Sequence, residues 1–447
     1  MQTHQDKRGL AITVAGAAAA DAHDALTDAY LGFRIDTGGR LKAALQADPE
    51  APLHQTMAGY IFHLMCQKPL LERAAAASAK ATSLAENRGN AREKLHAQAL
   101  AAWTAGDLRA AVQALEAVLI DWPTDVLALK LAHYLHFYLG DVAEHRDSVA
   151  RVMPHWRPHI PGYAAVLGMR AFGLEEAGHY DEAERFGRRA VELDPSDTWS
   201  IHAVTHVLEM QGRHREGIAW VARDVSAWDG KVHNFANHVW WHKALYHLEL
   251  DEPEAVLDLY DNRFRSEATD DGLDIANAAA MLMRLKCRDV NCGDRWEALA
   301  AVAATKAADH ILPFNDLHIA LAFAGAGRGS LADAMAARGA AGDDHWAAIY
   351  RDIAAPMAAG IAAYGTGDYA AAVKALAPVR YAWGAIGGSH AQRDVFQQML
   401  IDAAMRAGDW RHASALLAER QALKPHSRDT ARRAAQAAAA VSVAAAG

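Results

Sequence analysis

Two stretches of this chain carry histidines at helical spacing, and these are the residues whose types could do chemistry. The first, "SIHAVTHVLEM", contains His202, His206 and Glu209, and the second, "ANHVWWHKALYH", contains His238 and His242. Residues four apart share one helix face, with Cβ atoms roughly 5–6 Å apart. Each His-x3-His pair can therefore offer two nitrogens to one ion, and zinc accepts histidine nitrogen at about 2.0–2.1 Å.

The pattern supports three interpretations, and the sequence leaves all three open. In the first, His202, His206, His238 and His242 bind a divalent metal such as zinc, although the chain has no H-E-x-x-H motif. In the second, the same residues bind a small polar or anionic molecule without a metal. In the third, the imidazoles only pack and form hydrogen bonds. Glu209 could be a further ligand, an orienting neighbour or a general base, so catalysis is left open too.

The chain that must position these residues repeats itself, which predicts an all-α fold. The segment "AVLGMRAFGLEEAGHYDEAERFGRRAVELDP" (Ala165–Pro195) resembles a tetratricopeptide repeat. Ala171 would let two helices approach, Gly178 would end the first helix and Pro195 would stop the second. No run alternates apolar and polar residues as strands do. We therefore predict an α-solenoid of antiparallel helix pairs. The skeleton recurs around Gly106, Gly212, Gly367 and Gly408.

Three regions are predicted along the chain. Residues 1–90 form an N-terminal helical region, residues 91–425 form the tetratricopeptide-like array, and residues 426–447 form an alanine-rich C-terminal tail. Abundant alanine and only 13 prolines favour helix in all three.

The repeat register predicts which side chains share a pocket. Resemblance to tetratricopeptide repeats implies that the first helix of each pair lines a concave, ligand-facing groove. Counting from the turns at Gly212 and Asp251 directs the histidines into that groove, and stacking of adjacent repeats would bring the four imidazoles together. An alternative register, one residue earlier, turns His238 and His242 partly aside. The predicted pocket residues are Trp199, His202, His206, Glu209, His238, Trp241 and His242.

A third polar stretch, "FNDLH", adds Asp316 and His318 to the candidate ligand-binding residues. His318 falls at a groove-facing position of its repeat. The competing interpretation is that Asn315 or Asp316 merely caps the helix that begins there.

The stretch "GGSHAQRDVF" adds Arg393 to the same set. Ser389, with Gln392 three residues later, predicts a capping box at a helix start. Backbone N–H groups at a helix start attract anions, and Arg393 and His390 would strengthen that attraction. Capping alone is the competing interpretation.

Charge and cysteine content exclude several classes of protein. The formal net charge of -9, without a long basic run, argues against a nucleic-acid partner. No apolar run reaches the roughly 18–20 residues that a membrane span needs. The three cysteines form no CxxC pair, which favours a reducing compartment and predicts a cytoplasmic protein. The oligomeric state cannot be predicted from the sequence.

An ordered set of motifs, rather than one repeat, carries a family resemblance. These motifs are "YLGFR", "LKLAHYLHFYLGD", "PGYAAVLGMRAFGLEEAG", "HAVTHVLEMQGR", "NHVWWHKALYHLEL", "FNDLH" and "GGSHAQRDVF". In this order they resemble the tetratricopeptide repeat protein 38 family, from about Tyr30 to Pro425. The resemblance implies a helical-repeat fold, and it identifies no residue as catalytic. One departure is Asn277, where the family pattern has an acid.

Two functions fit these observations. The favoured one is a small-molecule-binding protein whose pocket is rich in His, Trp and Glu, because several groove-facing motifs far apart in sequence are polar. The alternative is a scaffold that binds a short peptide or another protein without catalysis. Peptide grooves commonly use Lys, Arg and Asn to hold a carboxylate, whereas the matching positions here carry other residues.

Overall fold

The computed structural model describes residues 2–446 and is helical almost throughout. The predicted all-α class and the tetratricopeptide-type helix pairs are confirmed. Residues 1 and 447, which belong to the predicted N-terminal region and tail, lie outside the described residues.

The strands are β1 (Gln2–Gln5) and β2 (Ala11–Val14). The first helices are α1 (Ala17–Leu31), α2 (Thr37–Ala47), α3 (Pro52–Leu64), α4 (Lys68–Arg88), α5 (Ala91–Thr104), α6 (Leu108–Asp121), α7 (Val126–Leu139), α8 (Val142–Val152), α9 (Tyr163–Glu176), α10 (Tyr180–Leu193), α11 (Thr198–Met210) and α12 (His214–Val221). The remaining helices are α13 (Val225–Trp228), α14 (Phe235–Glu249), α15 (Pro253–Leu259), α16 (Gly272–Lys286), α17 (Arg295–Ala303), α18 (Pro313–Gly325), α19 (Ala332–Ala341), α20 (His345–Ile349), α21 (Ala355–Thr366), α22 (Tyr369–Leu376), α23 (His390–Arg406), α24 (Trp410–Leu423) and α25 (Arg428–Ala446).

Short 3₁₀ and π segments extend or join some of these helices. The 3₁₀ segments are Met153–His155 and Ala377–Ile386, and the π segments are Tyr260–Phe264 and Tyr350–Ala354. Among the described residues, no helix combines the length and the apolar character that crossing a membrane requires.

Strands β1 and β2 form an antiparallel hairpin that the sequence analysis missed. Its turn contains Gly9 at φ +80°, a left-handed conformation that favours glycine. Ile12 and Val14 of β2 are buried, and Thr13 donates from its N–H and its hydroxyl to Glu93 at 2.8 and 2.7 Å. The polar strand β1 shows no alternation of apolar and polar residues, so its pairing was not visible.

The chain forms two compact units. The first comprises Met1–Val204 and Asp224–Phe235, and the second comprises Thr205–Arg223 and Ala236–Gly447. The boundary falls within α11.

The first unit shows how the repeat skeleton produces helix pairs. The turn between α9 and α10 holds Gly178 at φ +80°, and its N–H donates to the Glu175 carbonyl at 2.9 Å. Three residues suffice for this turn, so α10 must run back along α9. A Cβ at Gly187 of α10 would lie 2.6 Å from Val204 Cγ2 of α11, so glycine at this position allows these two helices to approach closely.

The second unit is built around α16, which is buried from Asp274 to Leu285 and packs on α18 and α23. Its last helix, α25, is tied to the unit by charged and polar contacts. Arg420 Nε donates to Thr430 Oγ1 at 3.0 Å, and Arg433 pairs with Asp402 at 3.0 Å. These contacts fix the end of α24, where Lys424 lies.

A buried ion pair in the first unit joins the start of α7 to α5. Asp125 caps α7 by accepting from the Ala128 N–H at 2.9 Å, and it also accepts from Arg92 at 2.6 Å and from His96 at 2.9 Å. The side chains of Asp125, Arg92 and His96 are all buried. Burial alone would raise the pKa of Asp125, but the charges of His96 and Arg92 hold it well below its usual range.

We expect Asp125→Asn to lower the free energy of unfolding by about 3–5 kcal/mol at neutral pH, because it leaves the Arg92 charge buried without its partner. A carboxyl whose pKa is depressed by folding stabilises above its unfolded pKa, and this stabilisation fades as the pH falls. The difference in free energy of unfolding between wild type and variant should therefore shrink by about 1.4 kcal/mol per pH unit below about pH 3.9. Urea denaturation at several pH values measures this difference.

The matched control is Asp121→Asn, which changes an exposed aspartate on the neighbouring helix α6. This control should stay within about 0.5 kcal/mol of wild type at every pH. A gap for Asp125→Asn that does not vary with pH would contradict the role assigned to its charge.

Candidate functional site

Helices α11 and α14 carry the predicted histidines. Asp197 starts α11 by accepting from the N–H groups of Trp199 and Ser200 at 3.0 and 3.3 Å, and Gly212, at φ +69°, follows its end. Within the second unit, Tyr246 of α14 donates from its hydroxyl to the Thr205 carbonyl of α11 at 2.6 Å. This bond sets the register of α14 against the part of α11 that carries His206.

Three imidazoles of the second unit form a group that we call the histidine cluster: His206, His238 and His242. The ring centres of His206 and His242 lie 4.4 Å apart, and those of His238 and His242 lie 4.8 Å apart. Each residue offers a ring nitrogen within 4.8 Å of the others, and all three side chains are buried. The structure therefore contains a cluster of imidazoles that could bind a metal.

His202 lies one turn before His206 on the same helix, in the part of α11 that belongs to the first unit. Its side chain is buried. His390, at the start of α23, lies edge-on to His206 with ring centres 5.3 Å apart. The sequence analysis placed His390 at a helix start and did not connect it with His206.

His238 is oriented by residues on both α14 and α16. Its Nδ1 lies 2.8 Å from the Asn277 side-chain oxygen, and its ring stacks on Trp241 with centres 5.2 Å apart. An amide oxygen can only accept, so Nδ1 carries the proton and Nε2 is left as the electron-pair donor. Burial, followed by the neighbouring His242, lowers the pKa of His238 well below its usual range. The neutral imidazole is the form that binds metals.

Glu209 is held beside the cluster by a lysine that the sequence analysis missed. Its Oε2 lies 3.5 Å from His242 Nδ1, and its Oε1 accepts from Lys424 Nζ at 2.6 Å. Lys424 lies 3.8 Å from Asp394, which in turn accepts from Arg420 at 3.0 Å. Burial would raise the pKa of Glu209, but Lys424, followed by His242, holds it well below its usual range.

Trp199, another predicted pocket residue, packs among aromatic residues of the first unit. It stacks on Phe33 with ring centres 5.7 Å apart, and the Lys130 ammonium lies 4.0 Å from its ring centre. His202 packs beside it, with its ring 5.1 Å from that of Phe172.

Asp316 and His318 make their contacts elsewhere in the second unit. Asp316 accepts from His310 Nδ1 at 2.7 Å and from the Tyr350 hydroxyl at 2.8 Å. His318 Nδ1 lies 2.7 Å from the Phe314 carbonyl. Neither residue belongs to the histidine cluster. The alternative that Asn315 or Asp316 caps this helix was wrong, because α18 begins at Pro313, after Leu312.

The capping box at the start of α23 is confirmed. The Ser389 side chain accepts from the Gln392 N–H, and the Gln392 side chain accepts from the Ser389 N–H. Arg393 directs its guanidinium to the carbonyls of Gly387 and Gly388. It therefore contacts the loop before the helix, whether or not an anion also binds there.

No protein-family model matches this sequence. Among solved structures, the chain is similar to a tetratricopeptide repeat protein from Parabacteroides merdae, with 16% identity, 64% of this chain and 99% of that chain covered, and a TM-score of 0.35. It is also similar to the human IFIT1 dimer with m7Gppp-AAAA, with 12% identity, 86% and 89% coverage, and a TM-score of 0.41. A third is the P58(IPK) TPR domain, with 10% identity, 86% and 98% coverage, and a TM-score of 0.21. At such low similarity, function must be argued from this chain's own residues.

We expect Lys424→Met to lower the free energy of unfolding by about 3–5 kcal/mol, because it leaves the buried Glu209 carboxylate without its partner. The double variant Lys424→Met with Glu209→Gln should recover most of that loss, since removing both charges removes the penalty. Urea denaturation of the single and double variants measures both effects.

Lys374→Met, which removes an exposed lysine from α22, is the matched control and should change stability by less than about 0.5 kcal/mol. A double variant as unstable as Lys424→Met alone would show that Glu209 is not the group that Lys424 stabilises.

Proposed function

We propose that this chain is a tetratricopeptide-type helical-repeat protein that binds a divalent metal of the zinc class through His206, His238 and His242. The observation that carries the proposal is the placement of three buried imidazoles with ring nitrogens within 4.8 Å of one another. A tetrahedral zinc ion with Zn–N bonds of about 2.0–2.1 Å holds its nitrogens about 3.4 Å apart. Small side-chain rotations would close that difference.

The donor set favours zinc-class ions over magnesium or calcium. Imidazole suits zinc, copper, nickel and iron, whereas magnesium and calcium prefer carboxylate, carbonyl and water oxygens. The carboxylate beside His242, that of Glu209, is paired with Lys424 at 2.6 Å. A lysine at that position competes with any ion for the carboxylate and leaves the imidazoles as the available ligands.

The neighbours of the imidazoles are those that metal-binding histidines commonly have. Such histidines donate their second N–H to a carboxylate or another oxygen, which fixes the ring and its tautomer. Asn277 takes this place for His238 at 2.8 Å, and Glu209 is positioned to take it for His242 at 3.5 Å. We also propose, from the order of the sequence motifs, that the chain belongs with the tetratricopeptide repeat protein 38 family and works in the cytoplasm.

We expect untagged protein to contain one zinc-class ion per chain by elemental analysis. His206→Ala and His242→Ala should each lose it, because two imidazoles from the second unit cannot hold the ion tightly. A chelator should lower the melting temperature of wild type, and added zinc should restore it. When free zinc is 1,000 times Kd, its binding should add about 4.1 kcal/mol to the free energy of unfolding.

His318→Ala is the matched control, because His318 is equally buried in the same unit but lies outside the cluster. It should lose stability yet keep its metal. Wild-type protein without stoichiometric metal, and with a melting temperature that neither chelator nor zinc changes, would refute the proposal and leave the peptide-binding scaffold as the better alternative.

A further inference from the structure

Two buried hydrogen-bond donors adjoin the histidine cluster without an acceptor. Asn277 Nδ2 and Trp241 Nε1 have no hydrogen-bond partner among the described residues, and both side chains are at most 1% exposed. Leaving a buried donor unsatisfied costs about 1–3 kcal/mol. Buried polar groups are therefore nearly always paired, with protein, water or a ligand.

Both donors belong to residues that touch the same imidazole. Asn277 binds His238 Nδ1 through its oxygen at 2.8 Å, so its amide nitrogen lies beside that ring. Trp241 stacks on the His238 ring with centres 5.2 Å apart and planes 14° apart. An acceptor that satisfies these donors would lie next to a ligand of the proposed metal.

A buried positive charge lies beside these donors without a counter-ion. The Arg284 guanidinium is 5.3 Å from the Trp241 ring centre and 1% exposed. It donates to the neutral carbonyls of Ala280 and Ala391 at 3.1 and 2.6 Å, and no carboxylate of the described residues is within ion-pair distance of it. Its Nε also has no acceptor among those residues. A buried charge normally has a partner of opposite sign.

Two carboxylates of the second unit act on Arg284 through their charges, and both already have partners. Glu209 pairs with Lys424 at 2.6 Å, and Glu249 pairs with Arg288 at 2.8 Å. Adding a divalent ion to neutral imidazoles would increase the positive charge further. Three protein nitrogens also leave one position open on a tetrahedral ion.

We propose that the metal centre takes a small carboxylate as its exogenous ligand, bound to the ion and to the N–H groups of Asn277 and Trp241. This inference rests on the proposed metal-binding function and names the class of ligand. A carboxylate supplies several acceptor sites and one negative charge, which matches the unsatisfied donors and the unpaired Arg284. A neutral molecule or water would satisfy the donors but not the charge.

The test compares acetate with acetamide, which has the same shape and no charge. Zinc-loaded full-length protein is titrated with each at constant ionic strength, and the melting temperature and heat of binding are recorded. Acetate should bind and raise the melting temperature, and acetamide should not. Protein stripped of zinc should bind acetate at least about ten-fold more weakly.

Two conservative variants separate the carboxylate site from the metal site. Asn277→Asp keeps an oxygen acceptor for His238 but replaces the donor with a negative charge, and Trp241→Phe keeps the ring but removes the N–H. Both should retain zinc and lose at least about ten-fold in acetate affinity. Asn262→Asp, which adds the same charge at an exposed position of the second unit, should change neither.

The outcomes distinguish the two proposals. Zinc binding without any response to acetate, or equal responses to acetate and acetamide, would overturn the carboxylate site alone. Wild-type protein that takes up no zinc would overturn both proposals.

Discussion

A single hydrogen bond between helices sets the geometry on which the candidate site depends. The Tyr246 hydroxyl of α14 donates to the Thr205 carbonyl of α11 at 2.6 Å. Tyr246 is one turn after His242, and Thr205 immediately precedes His206. The bond therefore fixes how far α14 can slide along α11, and with it the distance between the two imidazoles. Gly217 of α12 makes room for the Tyr246 ring, because a Cβ there would lie 2.2 Å from its Cζ atom.

Near this hydrogen bond, two buried carboxylates of the second unit are paired with positive charges. Glu209 and Lys424 are 215 residues apart in sequence, yet their charged atoms lie 2.6 Å apart. Asp394 and Arg420 form a second pair beside them at 3.0 Å. Breaking either pair would bury an uncompensated charge, which costs far more than an exposed pair contributes. The C-terminal helices are therefore structural partners of the site and not a separate appendage.

The sequence predicted those features that are determined by residues close together along the chain. The helix pairs, the turn at Gly178 and the capping box of Ser389 and Gln392 were all readable, because each is set by residues a few positions apart. The i,i+4 histidines were readable for the same reason. The hairpin of β1 and β2 was missed because its first strand is entirely polar. The cap at Asn315 or Asp316 was wrongly considered because Pro313 already begins that helix.

The contacts that give the site its chemistry could not be predicted in this way. Lys424 and Arg284 look like ordinary helix residues in the sequence, and only the packing of α16 and α24 brings them near the imidazoles. Asn277 was noted because it departs from a family pattern. Its contact with His238, however, joins two helices through residues that are 39 positions apart in sequence. Contacts between residues far apart in sequence produce no periodic pattern, so a single sequence does not predict them.

Two other buried histidines of this chain have surroundings that differ from those of the cluster. His96 lies 2.9 Å from an Asp125 oxygen, and His318 lies 2.7 Å from the Phe314 carbonyl. Each of these two imidazoles faces an oxygen acceptor. In the cluster, the imidazoles have oxygen neighbours and also lie against one another, with ring centres 4.4 and 4.8 Å apart. Imidazoles placed this close together on two helices can bind one metal ion jointly, because zinc-class ions accept several histidine nitrogens at once.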